Sequence, residues 1–396
     1  WYNYTMNLEE KIKYIETKKG INHDLMEFRS WLNEAMPEHK QLKKIQVGGT
    51  NGKGSTVAWM NQLLTKSGYK VGAFTSPHLV THFERIRIGN TYISAADWQR
   101  IYDQYADFFE AKAFTMFEID LWMAIAYFLE QKVDIALIEV GLGGRMDATT
   151  ALDYQLLLIT NVGLEHTEFL GDTIEQITFE KSGIFKPDVI ALTTETKPNA
   201  QKVMEQVAGY MQTMLGFVSM PYKEVDGNIE FVWLDHTYTM HPPKYQLSNL
   251  ALALEGLHQL GYSFEPELVQ DVLDHFAWEG RFVCLRKEPL ILLDGAHNLE
   301  GIQALAQSIP TWSGDIFFSV LKDKRAKEML EVLSQYNCPI YLVHMDSSRA
   351  YDLDTLGYPV LSQAEMLERL KAKKQAALLC GSLYFVGDFL KEIKEL

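Results

Sequence analysis

Within ten residues, Val47-Gly48-Gly49-Thr50-Asn51-Gly52-Lys53-Gly54-Ser55-Thr56 brings together four glycines, one lysine and three hydroxyls. Glycines let the backbone turn sharply, so that successive N–H groups converge on phosphate oxygens. A helix opening there adds positive potential. Lys53 then reaches the outer phosphates, and Ser55 or Thr56 holds a phosphate or a metal. The spacing departs from the strict G-x-x-x-x-G-K-[ST] form, because Gly54 separates Lys53 from Ser55. A glycine-rich turn without a ligand is the competing reading, opposed by the apolar strand before the loop and the helix after it.

Further candidates stand where apolar runs end. Thr75-Ser76-Pro77-His78 follows Val71–Phe74, Glu139 closes Ile135–Ile138, and His166 lies just beyond Leu156–Thr160. In a parallel sheet, C-terminal strand ends face the binding crevice. A carboxylate at such an end can hold Mg²⁺ as a hard oxygen ligand, or simply pair with an arginine. His166 offers a metal ligand or a proton donor, and Lys181 lies near a helix end where a solvated lysine is equally at home. Asp294 can accept ribose hydroxyls, His297 can approach the outer phosphate, and Arg281 adds a cation. Asn298 is suited to a helix cap.

These residues need strands and helices to place them. Short apolar runs without alternation predict strands at Lys44–Val47, Val71–Phe74, Ile135–Glu139, Leu156–Thr160 and Val189–Leu192. Helices are expected over Ser55–Ser67, Phe117–Glu130, Leu247–Leu260 and Glu265–Phe276. Alternation around Gly227–Met240 predicts antiparallel strands at the side of the first domain. A second βαβ pattern has strands at Leu290–Leu293, Ile316–Val320, Ile340–His344 and Ala376–Leu379, with helices at Glu300–Ser308, Ala326–Gln335 and Gln363–Lys373. The expected class is α/β: an N-terminal mostly parallel sheet domain of P-loop type over 1–279, then a smaller Rossmann-like α/β domain over 280–396. A crevice between two such domains is a usual place for a ligand.

Composition narrows the function. The 396 residues suit two domains, and 47% hydrophobic with 22% charged residues is ordinary globular composition. A formal net charge of −15 repels a phosphate backbone, so nucleic acid is not an expected partner. No apolar stretch approaches a membrane span, and the opening residues lack the apolar core of a secretion signal. The three cysteines, Cys284, Cys338 and Cys380, fit free thiols in a reducing cytoplasm. A monomer is expected.

Taken in order, GTNGKGS, TSPHL, FERIRIG, EVGLGGRMDAT, GLEHTEFLGDT, EKSGI, GRF, LDGAHN and GSLYFVG resemble the folylpolyglutamate synthase and dihydrofolate synthase family, within the Mur ligases. The resemblance spans nearly the whole chain. It implies an ATP-dependent ligase that joins L-glutamate to folate or dihydropteroate through an acyl phosphate. It places Asn51, Gly52, Lys53, Gly54, Ser55, Thr56, Asn249, Arg281 and Asp294 on ATP, although Asn249 would also serve as a helix cap. Ser76, Glu139 and His166 match magnesium ligands, with two ions expected. Lys181 matches a lysine carried as a carbamate, and His297 lies near the γ-phosphate. Thr75, Pro77, His78, Arg85 and Asp147 are implied in substrate binding, Lys53, His166, Lys181 and His297 in catalysis. Glu165, Thr150, Ser182 and Glu279 depart from the family pattern and bear on substrate preference. A different Mur-type amino-acid ligase, or a P-loop kinase or nucleotide-binding module, remains the alternative.

Overall fold

Lys44-Ile45-Gln46-Val47-Gly48 is buried along its entire length, as a strand covered on both faces must be. In the computed structural model, which describes residues 6–20, 22–241, 243–347, 349–372 and 374–392, this strand lies inside a large sheet. Two compact units are present. The first is Trp1–Pro221 with Val232–Tyr238 and Ser248–Asp274, and the second is Tyr222–Phe231 with Thr239–Leu247 and His275–Leu396.

The first unit begins with α1 (Leu8–Thr17) and α2 (Leu25–Ala35). Its strands are β1 (Lys44–Gly48), β2 (Val71–Phe74), β3 (Ile86–Ile88), β4 (Thr91–Tyr92), β5 (Ile135–Glu139), β6 (Leu156–Ile159), β7 (Ile190–Thr193) and β8 (Met214–Phe217). They join in the order β4-β3-β2-β5-β1-β6-β7-β8. Every pairing is parallel except the β2-β3-β4 edge. The intervening helices are α3 (Lys53–Lys66), α4 (Ala95–Ala111), α5 (Met116–Glu130), α6 (Thr167–Leu170), α7 (Ile174–Ser182) and α8 (Pro198–Met211). Helix α5 is buried nearly all round, which explains its continuous apolar sequence. The helix expected from Ser55 begins instead at Lys53, so Lys53 and Gly54 lie in its first turn.

The alternating segment forms β10 (Asn228–Trp233) and β11 (His236–Met240), joined by β9 (Tyr222–Val225) in a three-stranded sheet. Residues 232–238 cluster with the first unit and the rest of this sheet with the second. Helices α9 (Gln246–Gln259) and α10 (Pro266–His275) follow.

The second unit carries β12 (Val283–Lys287), β13 (Leu290–Leu293), β14 (Asp315–Phe318), β15 (Ile340–Val343), β16 (Val360–Leu361) and β17 (Ala377–Cys380). Their order is β12-β13-β17-β14-β15-β16, parallel except for β12 against β13. Helices α11 (Leu299–Ser308), α12 (Ala326–Ser334), α13 (Gln363–Lys371) and α14 (Leu383–Glu392) complete it around a core of Ile302, Leu305, Phe318, Met329 and Leu378.

Candidate active site

The glycine loop runs from β1 into α3 and is stitched to the neighbouring strand end. Asn161, just past β6, takes the Asn51 N–H on Oδ1 at 2.9 Å and donates Nδ2–H to the Asn51 carbonyl at 3.0 Å. The Thr160 hydroxyl donates to the same carbonyl at 2.6 Å. Thr50 N–H donates to the Asn161 carbonyl at 2.8 Å, and Gly163 N–H to Thr50 Oγ1 at 2.9 Å. Two glycines are required. Gly49 has φ +137°, and a Cβ there would sit 1.9 Å from Thr160 Oγ1. Gly52, with φ +88°, would bring a Cβ to 2.1 Å from Asn249 Oδ1.

Gly52 is the N-cap residue of α3 and has no side chain with which to take a first-turn amide. Ser55 and Thr56 are buried in that turn, and Thr56 Oγ1 has no hydrogen-bond partner among the described residues. Lys53 Nζ folds back to the carbonyls of Gly49 and Thr50, each at 3.2 Å. Lys181, buried on α7, reaches the same Gly49 carbonyl at 2.9 Å. Lys181 is therefore not the solvated lysine that its helix-end position also allowed. Burial foremost, and then the Lys53 charge, pull its pKa down to about 7, while Glu165 and Asp147 push the other way. Lys53, held at the Gly49 and Thr50 carbonyls in the first turn of α3, gives this loop a cation beside helix N-terminal amides, a combination suited to phosphate oxygens.

The register places Glu139 of β5 beside Val47 of β1, and Gly48 beside Ile159 of β6. Glu139 is buried and accepts the Ser76 N–H at 3.0 Å, so those two residues meet at the strand ends. His166 lies on the loop after β6, exposed, with left-handed backbone at the start of α6. Ser76 follows β2, Glu139 ends β5 and His166 follows β6, and oxygen donors such as the first two suit a hard divalent cation such as magnesium. Glu195, past β7, secures the loop that leads to His166: its carboxylate takes the amides of Val162, Thr196 and Lys197 at 2.6, 2.8 and 2.7 Å.

The remaining first-unit candidates have definite partners. Thr75 is buried, and its N–H donates to the Arg85 carbonyl. Pro77 is exposed. Arg85 is buried and donates Nε–H to His78 Nδ1 at 3.0 Å. Burial, and then the charge of Arg85, lower the His78 pKa to about 4. Asp147 is buried and accepts the amides of Gly141, Leu142 and Thr149 at 3.0, 2.9 and 3.0 Å, together with the Thr149 hydroxyl. It shapes the glycine turn after Glu139. Thr150 joins a buried chain, donating to the Gly144 carbonyl and accepting from Gln46. Ser182 is buried, Glu165 is half-buried and Glu279 is exposed. Asn249 falls inside α9, three residues past its start, so the capping role is not the one it holds.

In the second unit Asp294 is buried at the end of β13. It accepts from the Tyr245 hydroxyl at 2.6 Å, Phe282 N–H at 3.0 Å and Ala296 N–H at 2.8 Å. Burial raises its pKa, against the opposing charge of Arg281. A Cβ on Gly295 would meet Arg281 Nη1 at 2.7 Å, so the guanidinium lies close over that glycine. His297 Nδ1 lies 2.9 Å from the Gly295 carbonyl, an arrangement that puts a proton on Nδ1. Asn298 caps α11, accepting from Gly301 N–H.

Sequence reasoning passed over Thr160, Asn161, Glu195 and Tyr245. The first three sit at or just beyond the ends of β6 and β7, the same edge that drew attention to Ser76 and Glu139. Tyr245 offered no comparable signal, being 49 residues from its partner.

Comparison with known proteins gives the family. Residues 47–260 match the Mur ligase middle domain. The dihydrofolate synthase/folylpolyglutamate synthase of Bacillus subtilis is 30% identical over 416 aligned positions, covering 95% of this chain and 96% of that protein. A bifunctional folylpolyglutamate synthase/dihydrofolate synthase solved with Mn, AMPPNP and L-glutamate superposes with a TM-score of 0.86 at 27% identity. E. coli FolC in complex with DHPP and ADP does so with a TM-score of 0.87 at 26% identity. Each structure covers 98% of this chain and matches over 98% of its own length. With its glycine cradle, its strand-end carboxylate and this similarity along nearly its full length, the chain belongs to the folylpolyglutamate synthase/dihydrofolate synthase family of Mur ligases.

Proposed function

We propose that this protein joins L-glutamate to a folate-type carboxylate at the expense of ATP, with magnesium, through an acyl phosphate. The observation that carries the reading is the loop itself: Lys53, in the first turn of α3, and Lys181 meet at the Gly49 carbonyl, next to the strand end that holds Glu139. A carboxylate is a poor electrophile. In the first step its oxygen attacks the γ-phosphorus and the bond to ADP breaks. In the second, the deprotonated glutamate amine attacks the acyl carbon and inorganic phosphate leaves, taking the oxygen. Lys53 and the loop amides neutralise charge on the transferred group. Ser76, Glu139 and His166 are the residues to hold magnesium, which supplies further charge neutralisation when bound.

Lys181 is the residue to carry a carbamate. Its lowered pKa of about 7 leaves much of the amine neutral near neutral pH, so nitrogen can attack CO₂ and release one proton. Incorporation of ¹³C-bicarbonate into a carbamate resonance, absent in Lys181→Met, tests this. Asn249, Arg281 and Asp294 are nucleotide contacts on this reading, with residues 1–279 as the ATP-binding part and 280–396 as the glutamate-ligase part. His297 lies near the γ-phosphate on the same reading. A monomer working in the cytoplasm completes the proposal, and no described helix is long and apolar enough to cross a membrane.

The test is direct. Purified protein is given ATP, Mg²⁺ and labelled glutamate, with dihydropteroate and tetrahydrofolate offered separately, and products are resolved by mass. Glutamylated product with equimolar ADP and phosphate is expected with at least one acceptor. ADP formed without an amine would favour a kinase instead.

A further inference from the structure

A buried charge cluster in the first unit joins the loop carrying Ser76 to two helices. His82 is 4% exposed and lies in the short turn His82–Arg85. Its Nε2 is 2.8 Å from Asp120 Oδ1 on α5, and its Nδ1 is 3.1 Å from Glu16 Oε1 on α1. An ionised carboxylate only accepts hydrogen bonds. Both ring nitrogens therefore carry protons, and the ring is an imidazolium. Arg85 Nη1 lies 3.4 Å from Asp120 Oδ2, so two cations face two carboxylates. His78 is the neutral member, its Nδ1 accepting from Arg85. Donor atoms of Glu16, His78 and His82 lie within 4.8 Å of one another, a spacing that also suits a metal ion. The ring nitrogens of His82 are already committed to carboxylates and His78 Nδ1 to Arg85, so protons fill the place that a metal would take.

The loop between β2 and this turn is well tied. Its base closes with Thr75 N–H on the Arg85 carbonyl at 3.0 Å. Glu84 gathers the amides of Leu79, Val80 and Thr81 at 2.6, 2.8 and 2.7 Å. These bonds make the loop rigid within itself. His82 and Arg85 anchor it to α1 and α5.

We propose that His82 is a positioning residue for the ligase reaction: clamped between Asp120 and Glu16, its imidazolium holds the Thr75–Arg85 loop so that Ser76 stays against Glu139 and the cation site keeps its shape. The inference rests on the ligase reading for the use of that site. Burial lowers the basicity of His82, yet the charge of Asp120 and the hydrogen bonds to Asp120 and Glu16 outweigh it and raise the pKa to about 9. The groups facing the ring are Asp120 from α5, Glu16 from α1, Arg85 and His78 from its own loop, and the uncharged Trp98 ring from α4 at 6.0 Å. With a folded-state pKa above the unfolded one, the clamp is complete below about pH 6.5 and is lost as pH rises through about 9.

Three measurements decide it. Imidazole ¹⁵N NMR of the wild type, with His82 assigned by its absence in His82→Gln or His82→Lys, is expected to show the ring protonated at about pH 8. Mg²⁺ affinity by calorimetry is expected to weaken about tenfold in His82→Gln, with near-wild-type affinity in His82→Lys, which keeps a cation. In turnover, His82→Gln is expected to raise the half-saturating Mg²⁺ about tenfold while kcat at saturating Mg²⁺ stays within about threefold. A neutral ring at about pH 7, or a folded His82→Gln with wild-type Mg²⁺ affinity, overturns the proposal. If His82→Gln does not fold, the wild type still decides: calorimetric Mg²⁺ affinity that stays flat between about pH 8 and pH 10 overturns it. Absence of glutamylation under all conditions would instead overturn the ligase reading, since the titration and the calorimetry need no turnover.

Discussion

Gly52→Ala is the sharpest test of the cradle. The residue has φ +88°, a left-handed conformation that costs an L-residue about 1–2 kcal/mol. The new Cβ would also fall 2.1 Å from Asn249 Oδ1, 3.0 Å from its Cγ and 3.2 Å from its Nδ2. All three atoms belong to one side chain, so Asn249 has to swing away and lose its contacts, a coupling of about 1–2 kcal/mol. The expected total is about 2–4 kcal/mol. For a unit of this size that is a fall in Tm of roughly 4–8 °C. Asn249→Ala removes the obstructing amide without changing the backbone. In that background Gly52→Ala retains only the conformational cost, about 1–2 kcal/mol. Scanning calorimetry on the four proteins of the cycle measures this, with binding of a non-hydrolysable ATP analogue followed by titration calorimetry. Equal cost of Gly52→Ala with and without Asn249, or no cost at all, would refute the close approach of α9 to the loop.

Other predictions follow from the same geometry. Lys53→Ala is expected to lower turnover at least about a hundredfold in a steady-state assay, because it removes a cation aimed at the transferred charge; near-normal turnover contradicts its place in the cradle. Lys181 has a folded-state pKa of about 7, below the ordinary 10.5. The unfolded chain therefore binds more protons between those values, stability rises with pH across that window, and the cost is complete below about pH 7. Lys181→Met in CO₂-free buffer is thus expected to raise Tm more at about pH 6 than at about pH 9, and equal shifts would count against the burial argument. Tyr245→Phe removes the 2.6 Å hydrogen bond to buried Asp294 and is expected to cost about 1.5–3 kcal/mol. Hydrogen exchange of the Gly295 and Ala296 amides reports it, and unchanged protection would show that the phenol contributes nothing.

Much of the fold was legible because buried parallel strands have an unmistakable composition. Ile135–Glu139 and Val71–Phe74 match the expected bounds, β1 and β6 differ by one residue at one end, and β7 is shifted by one residue at both ends. Less marked strands escaped. Met214–Phe217 is an edge strand, partly exposed, and contains Gly216; Val283–Lys287 is an edge strand with polar residues and a register shift. Such strands lack the continuous apolar run that burial on both faces demands. The 3₁₀ turn at His82–Arg85 has the Thr81 and Glu84 spacing of a capping box, but its four residues are too few to show a helical period.

For the chemistry, residue types and spacing were enough to mark the glycine loop, Lys53, and the strand ends at Ser76 and Glu139. Glycine freedom, helix polarity and the period of buried strands are local properties, written into neighbouring residues. Partnership over long separations is not. That Asn161 clasps Asn51, that Lys181 shares a carbonyl with Lys53, and that Asp147 spends its oxygens on its own turn all follow from which strands lie side by side. The same holds for His82, an unremarkable histidine until α1 and α5 bring Glu16 and Asp120 to its two nitrogens. Desolvation and charge proximity depend on distance in space, and only the packed chain sets those distances.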